Sequence, residues 1–271
     1  MVGLFLYKIN YMNFIDTHSH LYSEEFLEDI SETIIRAKEK NVTKILLPNI
    51  DVSSIEPMLE LCKKDNCFYP MLGLHPTSIN SDFETQLKTI ESYLDKINIC
   101  AIGEIGIDLY WDKTFVEEQI IVFEEQILWA IERDLPMVIH IRKGFDEAML
   151  SLNKLSGKIK NPEKLYKGVF HCFGGDLRQA RKVIEMGFKI GIGGVVTFKN
   201  AKLADVVKEI NLEDILLETD SPYLSPTPYR GKRNESSYIP IIAQKISEIK
   251  GLSIEEVALI TTETAEKTFS L

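Results

Sequence analysis

The sequence predicts a (β/α)8 TIM barrel built as a single domain, and three observations carry that expectation. Short apolar runs alternate with amphipathic helical segments about eight times along the 271 residues, the number of units such a barrel needs. The runs lack clean polar alternation, as expected of parallel strands covered by helices. Histidines and acids recur at or just past the ends of these runs, and the C-terminal strand ends are the face on which such barrels carry their chemistry. A doubly wound open sheet is the competing architecture. It lacks support because no glycine-rich phosphate fingerprint follows the first strand.

Taken in order, the first strand is expected at Phe14–Thr17 and its helix at Glu24–Lys40. Thr43–Leu47 and Ser53–Lys64 form the second unit, Phe68–Leu74 and Phe83–Asp95 the third. Ile99–Gly103 and Val116–Arg133 form the fourth, its helix marked by apolar residues at helical spacing. Pro136–Ile141 with Phe145–Leu155, Gly168–His171 with Leu177–Met186, and Phe188–Ile192 with Lys202–Ile210 follow. Ile215–Thr219 is the last strand, joined by a long loop to a helix over Ile239–Lys250. A final helix over Ser253–Thr268 opens on Ser253-Ile254-Glu255-Glu256, which fits a capping box. No low-complexity linker, charge block or short repeat divides the chain, so one domain over 14–271 is expected behind an extension at 1–13.

Composition narrows the class. Hydrophobic residues make up 45% and charged residues 27%, ordinary for a globular enzyme. The net charge of -10 means that bulk electrostatics do not attract nucleic acid, so a phosphate ligand needs a local basic patch or bound cations. Cys62, Cys67, Cys100 and Cys172 form no CxxC pair and read as reduced thiols of a cytoplasmic protein. Val2–Met12 is too short and too interrupted, by Lys8 and Asn10, for a membrane span or a secretory signal. Met12 is the expected natural start; a native peptide beginning at Met1 or Val2 in mass spectrometry excludes that.

The chemistry begins at Phe14-Ile15-Asp16-Thr17-His18-Ser19-His20-Leu21. On a strand Asp16, His18 and His20 share a face, and the two imidazoles suit one divalent cation. A lone His-x-His is weak, and a solvated polar strand end would look the same. The rest of the chain strengthens the metal reading. All five histidines (His18, His20, His75, His140 and His171) fall at expected strand ends, as do Glu104 and Asp220. Closure of the barrel makes the first and eighth strands neighbours, so His18, His20 and Asp220 form one site. His140 and His171 form a second, and Glu104 has the two oxygens to bridge them. Two such ions can activate a water and stabilise the leaving oxygen of a phosphate ester, with Asp220 accepting the water's proton.

Substrate contacts are expected around this centre. His75 is either a phosphate contact or a locally hydrogen-bonded strand-end histidine. Arg142 lies two residues beyond His140 and is placed to clamp a phosphate. Tyr229-Arg230-Gly231-Lys232-Arg233-Asn234 brings Arg230 and Arg233 to the loop beside Asp220; a solvated charge run is the alternative. Phe173 and Tyr223 are candidates for the pocket wall. Cys172 is expected to point away from His171 as a small buried hydrophobe.

These residues resemble the TatD-like metal-dependent deoxyribonucleases, within the wider amidohydrolase-type barrels. The resemblance rests on Asp16-Thr17-His18-Ser19-His20-Leu21, Gly73-Leu74-His75-Pro76, Gly103-Glu104-Ile105-Gly106-Ile107-Asp108, His140-Ile141-Arg142, His171-Cys172-Phe173-Gly174-Gly175, Glu218-Thr219-Asp220-Ser221-Pro222-Tyr223-Leu224 and Arg230-Gly231-Lys232-Arg233-Asn234. Each motif is modest alone; the ordered set, from Phe14 to Asn234, is specific. It implies a (β/α)8 barrel and a divalent-metal nuclease, commonly a 3′→5′ exonuclease preferring single-stranded DNA. It also implies the metal roles of His18, His20, Glu104, His140, His171 and Asp220. The chain departs from the pattern at Glu235-Ser236, where a proline is usual, and in the extension before Met12. Neither touches a ligand.

The expected protein is therefore a DNA phosphodiesterase using two divalent ions (Mg²⁺, Mn²⁺ or Zn²⁺), contacting DNA locally, with no membrane or obligate protein partner. A metal-dependent hydrolase of a small phosphoester, amide or lactone is the alternative. Relatives that bridge metals with a carboxylated lysine need Lys where this chain has Glu104. A non-catalytic binding barrel is the third reading, and it predicts missing ligands where all six are present.

Overall fold

The computed structural model describes residues 12–158 and 167–271. Most of the expected extension at 1–13, and the region before Met12, lie outside the described residues. Eight parallel strands follow one another around a nearly closed barrel. They are β1 (Phe14–Asp16), β2 (Val42–Pro48), β3 (Phe68–Leu72), β4 (Ala101–Asp108), β5 (Met137–Arg142), β6 (Gly168–Phe170), β7 (Lys189–Ile192) and β8 (Ile215–Leu217). Outside them run α1 (Ile30–Glu39), α2 (Val52–Cys62), α3 (Phe83–Leu94), α4 (Val116–Arg133), α5 (Phe145–Ser156), α6 (Leu177–Glu185), α7 (Leu203–Glu209), α8 (Ile239–Lys250) and α9 (Ile254–Phe269). Among the described residues no helix is long and apolar enough to cross a membrane.

The seam between β1 and β8 is closed by backbone bonds just past both strands. Thr17 donates to the Leu217 carbonyl at 3.0 Å, Asp220 to His18 at 2.9 Å, and His20 to Ser221 at 2.8 Å. Ile15, Leu46, Met71, Ala101, Val138, Val169 and Leu216, one from each of seven strands, form a dry cluster on which Ala265 and Phe269 of α9 pack. The alternate residues of the same strands, such as Phe14, Ile45 and Leu217, belong to the larger cluster shared with the helices. That double burial is why the strands read as continuous apolar runs. Ser253 caps α9, accepting from the Glu256 N–H while the Glu256 carboxylate returns to the Ser253 N–H.

The structure departs from the sequence expectation at three elements. The single helix expected over Glu24–Lys40 is a short 3-10 turn at Glu24–Phe26 and then α1, because Phe26 is drawn into the core and Asp29 faces arginines instead of capping. Strand β4 continues past Gly103 to Asp108, all of it buried. Gly106 permits this at φ +152, where an added Cβ would lie 1.9 Å from the His140 carbonyl oxygen. Finally, β1 stops at Asp16, so strand alternation lapses there and Asp16 does not join His18 and His20. Its buried carboxylate instead accepts from the Thr219 N–H at 2.9 Å and hydroxyl at 2.7 Å, and from the Ser236 hydroxyl at 2.7 Å.

Candidate metal centre

Five strands deliver one cluster. His18 and His20 follow β1, Glu104 lies within β4, His140 within β5, His171 follows β6 and Asp220 follows β8. Glu104 sits at the middle with its two oxygens facing different histidines. Its Oε2 is 3.2 Å from His18 Nε2 and 3.7 Å from His20 Nε2. Its Oε1 is 2.9 Å from both His140 Nδ1 and His171 Nε2. Asp220 Oδ1 closes the first group, 3.8 Å from His18 Nε2 and 3.6 Å from His20 Nε2. His75, following β3, brings Nε2 to 3.3 Å from Glu104 Oε1.

The far ring nitrogens show how these imidazoles are aimed. Tyr22 donates its hydroxyl proton to the Pro48 carbonyl at 2.6 Å, so its oxygen is free to accept from His20 Nδ1 at 2.9 Å. His20 Nε2 is then bare and faces the cluster. His140 turns Nε2 to Asp108 Oδ2 at 3.2 Å and presents Nδ1 inward. His171 turns Nδ1 toward Glu218, with Oε1 at 3.6 Å, and presents Nε2. His75 is arranged the opposite way. Its Nδ1 accepts from the Thr77 backbone N–H at 3.2 Å and lies 2.7 Å from the Thr77 hydroxyl; with both donating, the proton of the neutral ring sits on the inward Nε2.

The charges follow the same geometry. Burial pushes the Glu104 carboxyl up, but the imidazoles of His171, His75 and His18 and the His140 hydrogen bond outweigh it and hold Glu104 well below the usual carboxylate range. Burial lowers His171, yet Glu104 and Glu218 together raise it well above an ordinary histidine. His140 is raised too, its burial outweighed by hydrogen bonds to Asp108 and Glu104. Burial lowers His18, with His171 adding to it, and burial lowers His75. Asp220 is held low against its burial by His20, His171 and His18.

This donor set fits a divalent ion. Ligand atoms about 2.0–2.2 Å from one ion lie roughly 3–3.6 Å from each other. The spacings around His18, His20, Glu104 and Asp220 are close to that range, with His18 Nε2 and His20 Nε2 3.2 Å apart. Imidazole with carboxylate suits zinc, manganese and related ions. Three overlapping groups converge within 4.8 Å: His18 with His171 and Asp220, His18 with His20 and Glu104, and His75 with Glu104 and His140. Distance alone thus admits His75, but the Thr77 N–H on its outer nitrogen sets it apart from the other four.

The family described as TatD related DNase matches residues 15–270. The chain belongs to the TatD-related DNase family. Among TatD-family and other metal-dependent hydrolases, it is 38% identical over 257 residues to the uncharacterized metal-dependent hydrolase YabD of Bacillus subtilis, covering 94% of this chain and 98% of that one. It is 31% identical over 248 residues to the uncharacterized metal-dependent hydrolase YjjV of Escherichia coli, covering 90% and 93%. The crystal structure of the Escherichia coli TatD homologue YJJV superposes with a TM-score of 0.88 at 29% identity, over 95% of this chain and 98% of that one. The chain is a metal-dependent hydrolase of the TatD family.

The TatD cluster lies in an open cavity of about 1100 Å³, and the remaining expected residues divide around it. Arg142, Phe173 and Tyr223 line it. Arg230 and Arg233 are not among its lining residues. Arg230 lies over the Phe198 ring, 4.1 Å from its centroid. Arg233 makes two 2.7 Å bonds to Asp29 and covers Phe26, because the loop folds back onto the start of α1. Cys172 is a correction. Strand β6 ends at Phe170, Cys172 adopts φ +45, and its side chain lines the cavity. Burial keeps its thiol protonated. Asp108, Glu218 and Tyr22 went unread as site residues. Asp108 and Glu218 stood inside the quoted motifs, and their only signal was an acid within an apolar strand end.

Proposed function

We propose that this hydrolase cleaves phosphodiester bonds of DNA using two divalent ions, as a 3′→5′ exonuclease acting on single-stranded ends. The observation that carries the reading is the division of Glu104, whose two oxygens face separate histidine pairs. One ion would be held by His18, His20, Asp220 and Glu104 Oε2, the other by His140, His171 and Glu104 Oε1. When bound, the ions supply charge neutralisation at the phosphate and lower the pKa of water.

The chain's own groups supply the rest. Asp220 is ionised at neutral pH and its side chain is the most open of the carboxylates, so it can take the proton of an attacking water. His75 Nε2–H can donate to a phosphate oxygen beside Glu104. Arg142, at the cavity mouth, neutralises a further phosphate. Burial of Tyr22, Asp108 and Glu218 behind the histidines holds them in register. DNA is contacted locally, without an obligate protein partner, and the four free cysteines suit the cytoplasm.

The test is degradation of a 5′-labelled single-stranded oligonucleotide with Mg²⁺ or Mn²⁺, with and without EDTA, beside Glu104→Ala. A ladder shortening from the 3′ end, abolished by chelation and by the variant, is expected. An intact oligonucleotide with verified metal-loaded enzyme moves the assignment to a small phosphoester, amide or lactone.

A further inference from the structure

We infer that Trp111, braced edge to face by Tyr110, offers a stacking face for an unpaired nucleobase at the mouth of the cavity, with Arg142 holding the adjoining phosphate. The inference deepens the nuclease reading and rests on it for the identity of the ligand. The chain has two tryptophans, used in contrasting ways. Trp129 is packed in the core, whereas Trp111 lines the cavity and is 70% exposed. Tyr110 beside it is 52% exposed, and the two rings meet edge to face with centroids 5.0 Å apart.

The pair is not a loose loop tip. Tyr110 N–H donates to Asp108 Oδ1 at 2.8 Å, and Leu109 N–H to the Arg142 carbonyl at 2.8 Å. Asp108 is also the carboxylate that orients His140, so the platform and the catalytic cluster share one anchor. The Arg142 guanidinium lies over Tyr110, with Cζ 3.8 Å from its centroid and 5.0 Å from that of Trp111. No carboxylate pairs with Arg142 among the described residues, so its hydrogen-bonding edge is open while its face is held.

Chemistry selects the ligand. The protein is acidic overall, so a polyanion gains little from its bulk field and must be held by local contacts. A flat apolar face beside a fixed cation matches a nucleobase attached to its phosphate, and stacking serves every base. Interior paired bases keep both faces covered by their neighbours, and a terminal pair offers only its outer face. The platform therefore favours single-stranded or frayed ends over intact duplex.

The test separates this from cleavage. In EDTA, where no hydrolysis occurs, tryptophan fluorescence is titrated with a short oligothymidylate, and affinity is followed by anisotropy of the labelled strand. Saturable quenching is expected for wild type and is absent in Trp111→Phe, whose remaining tryptophan is buried. Trp111→Ala and Tyr110→Ala, checked for native melting, should bind on the order of tenfold more weakly. An oligonucleotide with abasic 3′ residues should lose most of that difference, and blunt duplex should quench less than the single strand. Quenching without cleavage once Mg²⁺ or Mn²⁺ is restored keeps the platform and removes the nuclease. Cleavage by wild type without quenching, or equal binding of the abasic strand, overturns the platform and leaves the nuclease standing.

Discussion

His75 and His171 stand at similar distances from the same Glu104 oxygen, yet their outer nitrogens face opposite kinds of partner. Thr77 gives His75 a proton donor on Nδ1, while Glu218 offers His171 an acceptor. In the proposed function His75 is thereby the donor to substrate, and His171 a ligand. His75→Ala should leave metal stoichiometry unchanged by calorimetry while lowering turnover; His171→Ala should lose bound metal. Glu218→Gln keeps the shape and still accepts the Cys172 N–H, but its charge no longer faces His171. Metal affinity should fall about 10–100-fold with little change in melting. The clustering of these histidines with Glu104 and Asp220 was legible because histidine is rare in this chain and sits at strand ends. Their supports were not, since the partner of a second ring nitrogen depends on how a distant side chain turns. Tyr22 meets His20 with its hydroxyl oxygen because its proton goes to the Pro48 carbonyl.

Among elements, the loop after β8 and helix α1 are joined by one charged strap. Asp29 receives Arg233 and Arg36, and Arg36 also bonds Glu235 at 2.6 Å. The hydrogen bond from Arg233, more than offsetting burial and aided by Arg36, holds the Asp29 carboxyl far below its ordinary range. The strap's stabilisation is full above the unfolded carboxyl pKa, about 3.9, and is lost as pH falls toward the folded value. Asp29→Asn should therefore lower the melting temperature by on the order of 2 °C at neutral pH, with the gap closing in melts below about pH 4. The sequence displayed Arg233 beside Asp220 but not Asp29 behind it, so the pairing that ties this loop to α1 was not legible. Helix positions such as Val116–Arg133 were legible from apolar spacing alone. The end of β4 was not, because a buried strand that carries Glu104 and Asp108 inward breaks the apolar pattern just where function begins.

Across the whole molecule, metal uptake and acidity are linked. Without an ion, Glu104 and its neighbours hold protons on His140 and His171 more tightly than free imidazole does. Metal must displace them, so affinity should rise with pH through neutrality, up to about tenfold per pH unit for each proton released. Calorimetry in two buffers of different ionisation heat measures both the slope and the protons set free. A flat profile would show that the inward nitrogens are already bare.

The barrel seam has a consequence in time as well as space. His18 and His20 follow the first strand of the barrel and Asp220 follows the last, so a ribosome releases them far apart in time. A nascent chain therefore carries an incomplete metal cage until its eighth strand emerges and docks against the first. The proposed cage is complete only when both ends of the barrel have met.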